Sequence, residues 1–340
     1  MNTMQAMRYV LESENSQIRV EVSNLGASLI KLECTDRDGR LGDVVVGPES
    51  MAQLAENQSY MGSTVGRFAN RIARGEYRDS GKLVKLSVND GANHLHGGLG
   101  GIHKVLWEVE SQSKDSITFV YVSADGDDGY PGELVMRARY SLDGENQLSV
   151  CYEAEADART PVNLAQHAYW NLTGNPKESI ERHEVQSGSA LAYLELNEEV
   201  LPTGAIAPSE GTVFDFTKWR ALGDGLESGA EQIVRAGGYD HCLVFSDCVS
   251  GTLEHSITVR DVGSGRVMEV MTNMPGVQLY SGNFLDGSEL GKGGAIEHRT
   301  GLCLETQHYP DAVNHAHFPS AILEPGEKYE HHIRYRFSTM

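Results

Sequence analysis

Short runs in which apolar and polar side chains alternate recur along the whole chain. They include "QIRVEVSN" (17–24), "KLVKLSVND" (82–90), "SITFVYVS" (116–123), "ELVMRARYSL" (133–142), "QLSVCYEAE" (147–155), "HSITVRDV" (255–262) and "YEHHIRYRF" (329–337). A period of two marks a strand with one buried face. Between the runs, Asp38-Gly39, Asp90-Gly91, Asp143-Gly144 and "VGSGR" (262–266) supply residues that tolerate positive φ in tight hairpins. Helical periodicity is confined to "PESMAQLAENQ" (48–58) and "DFTKWRALG" (215–223), both too short to cover a parallel sheet. No fixed-period repeat, low-complexity tract or Pro/Ser-rich linker divides the chain. The expectation is an all-β fold, a large antiparallel β-sandwich with a few short helices, forming one domain over residues 1–340.

One apolar run carries a carboxylate. In "GLCLETQHYPDAVNH" (301–315), alternation puts Leu302 and Leu304 on one face and Cys303, Glu305 and Gln307 on the other. A carboxylate in such a place needs partners or a task.

Composition narrows the tasks. The chain has 28 basic and 48 acidic residues, a formal charge of −20, which opposes the phosphate contacts that nucleic-acid binding rests on. No apolar run approaches the roughly 18 residues needed to span a bilayer, so neither nucleic acid nor membrane is expected as a partner. The segment "MNTMQAMRYVLESENSQ" lacks a basic stretch followed by an apolar one and a cleavage site, so a cytoplasmic protein is expected. Cys34, Cys151, Cys242, Cys248 and Cys303 are scattered and odd in number, as expected of reduced thiols rather than a disulfide framework or zinc site. In that setting the sequons at Asn57 and Asn171 read as chance matches.

Polar clusters in the loops carry the candidate chemistry. "NHLHGG" sets His94 and His96 two apart, on one face if the segment is a strand. No H-x-x-x-H or Cys-rich partner accompanies them, so a hydrogen-bonding role at a pocket rim is expected rather than a metal. "NLAQHAYWNLTG" (163–174) places His167 beside Tyr169 and Trp170, as a proton donor near a stacking surface or as a satisfied core histidine. "GRFANRIARG" (66–75) brings Arg67, Asn70, Arg71 and Arg74, which suit hydroxyl or carboxylate oxygens but also fit a solvated surface loop. "DGDDGYPG" (125–132) lacks the oxygen ligands of a calcium loop at Gly129 and Met136 and reads as a turn. No phosphate loop, dinucleotide fingerprint or G-x-S-x-G elbow occurs, and Glu305 beside Cys303 opposes a thiolate. Carboxylates and histidines among Arg, Asn, Gln, Tyr and Trp remain, a mixture suited to a polyhydroxylated ligand.

Taken in order, "GRFANRIARG", "NHLHGG", "NLAQHAYWNL", "GYDH", "GVQLYSGNFLDG" and "CLETQHYPDAVNH" resemble the aldose 1-epimerase (galactose mutarotase) family. The resemblance implies a β-sandwich with an open cleft, no metal, no organic cofactor, and interconversion of α and β anomers of a free aldose. By matching position it implies Glu305 as general base and His167 as general acid, with His96 at the ring oxygen. Asn70, Arg71, Asp240 and Gln278 become sugar-binding positions and Tyr280 a wall. Gln166 and Trp170 depart from the family's usual residues, which touches pocket shape and hence sugar preference. The partner implied is a monosaccharide, with the protein a monomer or homodimer. Three rivals stay open: a glycosidase using Glu305 with Asp240, a sugar sensor without turnover, and a hexose-6-phosphate epimerase with Arg67, Arg74 or Lys104 around the phosphate.

Overall fold

The structure, a computed structural model, describes residues 5–13, 17–245, 253 and 255–340. Cys248 and part of the N-terminal segment lie outside the described residues. Three of the alternating runs form Ser116–Ser123, Leu134–Leu142 and Gln147–Ala156, successive antiparallel strands in a nine-stranded sheet. Beyond them the sheet continues through Tyr329–Thr339, Arg266–Thr272 and His255–Arg260. Its inward positions follow the alternation: Leu134, Met136, Ala138, Tyr140 and Leu142 are buried while their neighbours are less so.

A seven-stranded antiparallel sheet faces it, in the order Pro202–Pro208, Ala190–Leu196, Asp240–Phe245, Gly276–Tyr280, Leu302–Gln307, Tyr169–Trp170, Val45–Val46. Leu243, Val277, Leu279, Leu302 and Leu304 join Met136, Tyr140, Val150 and Ile333 in one hydrophobic cluster between the sheets. Burial of each such side chain is worth about 1.5–3 kcal/mol. The three central strands are buried at every position, so their second face is covered too. Loops cover it, and Glu305 points into that layer rather than into the sandwich core.

The structure revises several local expectations. Of "KLVKLSVND" only Lys82–Lys85 is a strand, paired with Glu76–Asp79. Leu86 N–H then bonds Gly75 O, and Ser87 is drawn to Asp128. The first expected helix is Met51–Glu56, closed by a capping box in which Ser50 Oγ accepts from Gln53 N and Gln53 Oε1 accepts from Ser50 N. The second is confined to Leu222–Leu226, because Asp215 Oδ1 accepts from both Thr217 N–H and Oγ–H and holds the preceding residues in a turn. A third helix, Glu231–Ala236, is too short to show a period. In "DGDDGYPG" the carboxylates are loop acceptors: Asp125 takes Gly132 N–H, Asp127 takes Ala124 N–H and Asp128 takes Leu99 N–H. Asn171, the second sequon, is buried and donates to Glu178 O and Thr300 O.

Candidate active site

Strand register builds the floor of the site. Glu305 lies opposite Gln278, and Gln278 opposite Cys242, so the three share a face; Asp240, Tyr280, Cys303 and Tyr169 make the adjacent row. His167 precedes Tyr169 by two residues and reaches the same face. Its Nε2 lies 3.6 Å from Glu305 Oε1, with both side chains almost fully buried. That gap is too long for a hydrogen bond. Glu305 Oε2 is buried without a hydrogen-bond partner.

The walls come from loops. Gly97 (φ +89) passes so close to Gly66 that a Cβ would sit 1.6 Å from Gly66 O, so this contact between the 66–71 and 94–98 segments requires glycine. Asn70 (φ 66) and His96 (φ 50) are left-handed non-glycine residues locked to each other. Asn70 N–H donates to His96 Nδ1 at 3.1 Å and His96 N–H to Asn70 O at 3.2 Å. The expected pairing of His94 with His96 fails for this reason: the strand lasts only for His94–Leu95, and His96 turns into the pocket. His94 instead bonds Ser87 O and Tyr130 Oη.

Arg71 Nε donates to Asp90 Oδ2 at 2.8 Å, and Nη1 lies 3.7 Å from Asp240 Oδ2. Gln278 Nε2 donates to Asp240 Oδ1 at 2.7 Å. The resulting pocket, of about 180 Å³, is lined by Asn70, Arg71, His96, His167, Asp240, Tyr280 and Glu305, with Gln58, Ser59, Tyr60, Leu95, Tyr169 and Phe284 completing it. Seven of the eight expected site residues line it; Gln278 stands behind Asp240.

Sequence reasoning missed Tyr60, Asp90 and Phe284. Tyr60 packs at 4.6 Å from the His96 ring and 5.8 Å from that of His167. Its loop follows the capped helix and carries no chemical motif. Phe284 stacks on Tyr280 at 6.1 Å while remaining exposed at the mouth.

Other expectations are corrected. Gln166 and Trp170 face the sandwich core: Gln166 Nε2 donates to Tyr140 Oη at 2.7 Å, and Trp170 packs on Tyr335 at 4.9 Å. Neither lines the pocket. Arg67 is neither a pocket residue nor a solvated one, because it is buried and donates to the carbonyls of Ser123, Ala124 and Gly132. Arg74 and Lys104 are exposed. Gln307 is buried outside the pocket.

Burial sets the proton affinities. It holds the Glu305 carboxyl well above its ordinary range, with Asp240's charge adding to the shift and the Arg71 guanidinium opposing it. The same burial pushes His167 down to about 4 and His96 well below its usual value. Asp240 is raised by burial against the pull of Arg71 and Gln278.

Donor atoms of His96, His167 and Glu305 lie within 4.8 Å of one another, a ligand set that no local spacing announces. The donor chemistry fits a metal poorly. His96 Nδ1 is an acceptor from Asn70, so the neutral ring carries its proton on Nε2 and aims an N–H, not a lone pair, into the pocket. A sugar oxygen suits that donor.

Comparison with known proteins shows the family. The family model for aldose 1-epimerase matches residues 7–336. Galactose mutarotase of Bos taurus is 44% identical over 328 residues, covering 96% of this chain and 92% of that protein. Aldose 1-epimerase of Escherichia coli (strain K12) is 31% identical over 335 residues, covering 98% and 96%. A crystal structure of an aldose epimerase homologue from C. elegans superposes with a TM-score of 0.90 at 28% identity, covering 99% of this chain and 100% of that one. The chain belongs to the aldose 1-epimerase family.

Proposed function

We propose that the chain interconverts the α and β anomers of free aldohexoses, such as galactose or glucose, by acid/base-catalysed ring opening and reclosure. The observation that carries this is the 3.6 Å separation of Glu305 Oε1 and His167 Nε2 on the pocket floor. Glu305, ionised, takes the proton of the anomeric hydroxyl while His167 protonates the ring oxygen. The C1–O5 bond breaks, rotation about C1–C2 presents the other carbonyl face, and reclosure reverses both transfers. The pair carries one proton throughout. Burial disfavours either charge alone, but opposite charges this close stabilise each other, and Arg71 favours the carboxylate. His96 Nε2–H is directed at the ring-oxygen region, Asn70, Arg71 and Asp240 hold hydroxyls, Gln278 orients Asp240, and Tyr280 forms a wall.

Asp240 is committed to Arg71 and Gln278, which suits hydroxyl binding better than the second carboxylate of a glycosidase. A hydrophobic cluster running from Leu11 to Phe337 supports treating the chain as one domain. No helix among the described residues is long and apolar enough to cross a membrane. Cys34, Cys151, Cys242 and Cys303 are free thiols, as a cytoplasmic location would require.

Polarimetry of fresh α-glucose and α-galactose, corrected for the spontaneous rate, tests the activity. Glu305→Ala and His167→Ala should each fold and lose about a hundredfold or more in rate. Near-normal turnover in either variant would remove that residue from its role, and release of nitrophenol from a nitrophenyl glycoside would favour a glycosidase.

A further inference from the structure

The mechanism above leaves one atom of the site without a task. His167 exchanges its proton through Nε2, yet its Nδ1 lies 3.6 Å from Cys303 Sγ, a distance suited to a hydrogen bond with sulfur. Cys303 is fully buried, opposite Tyr169 on one neighbouring strand and Tyr280 on the other. The Tyr169 hydroxyl, the nearby polar group on that row, donates to Ser59 O at 3.1 Å and also lies within hydrogen-bonding reach of the Cys303 sulfur.

We propose that the sulfur of Cys303 accepts the Nδ1–H of His167 and holds the neutral ring in the tautomer whose Nε2 lone pair faces the sugar. Cys303 is thus a positioning residue, a role that catalytic histidines more often assign to a carboxylate or a carbonyl. It rests on the proposed role of His167 as proton donor.

The chemistry follows from the proton cycle. An imidazolium carries protons on both nitrogens, and once Nε2 has given its proton to the ring oxygen, the ring left behind is the Nδ1–H tautomer. A partner that favours Nδ1–H in the neutral state therefore leaves Nε2 ready to take the proton back on reclosure. A carboxylate in place of sulfur would stabilise the imidazolium and make the proton harder to give. A neutral thiol fixes the tautomer without that penalty, and burial keeps Cys303 in the thiol form. Asn70 does the opposite for His96: its N–H occupies Nδ1, so the His96 proton sits on Nε2. The two pocket imidazoles are thereby set to opposite tautomers, one to donate a fixed hydrogen bond and one to exchange a proton.

Two-bond ¹H–¹⁵N spectra of histidine-labelled protein at a pH above the alkaline limb of the rate profile, where the pair has lost its proton and the His167 ring is neutral, with His167 assigned by its absence in His167→Ala, read the tautomer directly. The expected wild-type pattern is pyrrole-type Nδ1 and pyridine-type Nε2 for His167. In Cys303→Val and Cys303→Ala the pattern should move toward Nε2–H. The rate constant kcat should fall roughly threefold to tenfold, the worth of one weak hydrogen bond, with KM unchanged. A wild-type Nε2–H pattern overturns the proposal whatever the variants do. So does an unchanged pattern in a folded variant, or an altered pattern with unchanged kcat. If His167→Ala keeps its rate, the role of His167 itself fails, which the spectra would not by themselves show.

Discussion

Gln278 Nε2 donates to Asp240 Oδ1 at 2.7 Å while Asp240 Oδ2 faces Arg71 Nη1 at 3.7 Å, so one carboxylate is held from two sides before any sugar arrives. Preorganisation of this kind acts on binding rather than on the proton transfers. Gln278→Ala should raise KM by at least about tenfold with kcat changed less than threefold, since a hydrogen bond to a charged group is worth about 1.5–3 kcal/mol. Initial-rate polarimetry across sugar concentrations separates the two constants. A fall in kcat alone would instead place Gln278 next to the reacting atoms.

The pH profile should be bell-shaped, because the pair works with one proton between Glu305 and His167. Its acid limb should lie near the value of about 4 to which burial takes His167. The alkaline limb marks loss of the remaining proton and should stand well above the ordinary carboxylate range, as the raised Glu305 does. Asp240's charge raises Glu305 and Arg71's lowers it. Asp240→Asn should therefore shift the alkaline limb to lower pH, and Arg71→Met should shift it to higher pH. Enzyme-catalysed kcat/KM measured against pH for the three proteins checks both signs.

Much of this was legible where one face of a strand meets solvent and the other the core, as in Leu134–Leu142. The central strands Asp240–Phe245 and Gly276–Tyr280 are buried on both faces, so their sequences lack the alternation and are marked only by their polar residues. Glu305 could be put opposite Leu302 and Leu304 from spacing alone, but not 3.6 Å from His167, which register between distant segments decides. The orientation of Gln166 and Trp170 was in fact readable: if His167 and Tyr169 face the pocket in extended chain, their neighbours face the core. Tyr60 and the left-handed turn at His96 had no such signal, since both depend on loop packing.

Arg67 separates stability from chemistry. Its guanidinium donates to Ser123 Oγ at 2.9 Å and to the carbonyls of Ser123, Ala124 and Gly132 at 2.8 Å, while its ring neighbour Tyr130 lies 5.6 Å away. Arg67→Met should cost about 3–5 kcal/mol, because several buried acceptors lose their donor together. Denaturant unfolding gives that figure, and polarimetry well below the melting range should show kcat and KM within about threefold of wild type.

Arg71 is the one lysine or arginine among the described pocket-lining residues, and Asp90 and Asp240 already occupy it. A 6-phosphate would meet no free cation and would add its own charge beside Asp240 and Glu305. Glucose 6-phosphate should therefore show kcat/KM at least about tenfold below that of glucose. Equal or faster turnover of the phosphate would mean that a cation outside the pocket, such as Lys104 or Arg74, reaches it.

Glu305 should be costly to the fold in the same measure that it serves the reaction. Its folded-state proton affinity is raised above the ordinary value of 4.5 by burial, so the folded state binds more protons than the unfolded state between the two values. The favourable contribution of the protonated carboxyl is complete below pH 4.5 and is lost as pH rises through the folded value. Glu305→Gln keeps the shape without the ionisation. It should melt roughly 1–3 °C above wild type at alkaline pH, with the difference vanishing toward pH 4, while losing most of its turnover. The opposite drift comes from buried histidines: His103, His241 and His331 are pushed to about 3, and His167 and His308 to about 4. Their depressed values mean that stability falls as pH drops below 6.5, in wild type and variant alike. Thermal melts of both proteins from pH 4 to 9 resolve the two effects, since the histidine loss is common to both and only the Glu305 term appears in the difference. A difference that grew on acidification would reverse the sign assigned to Glu305.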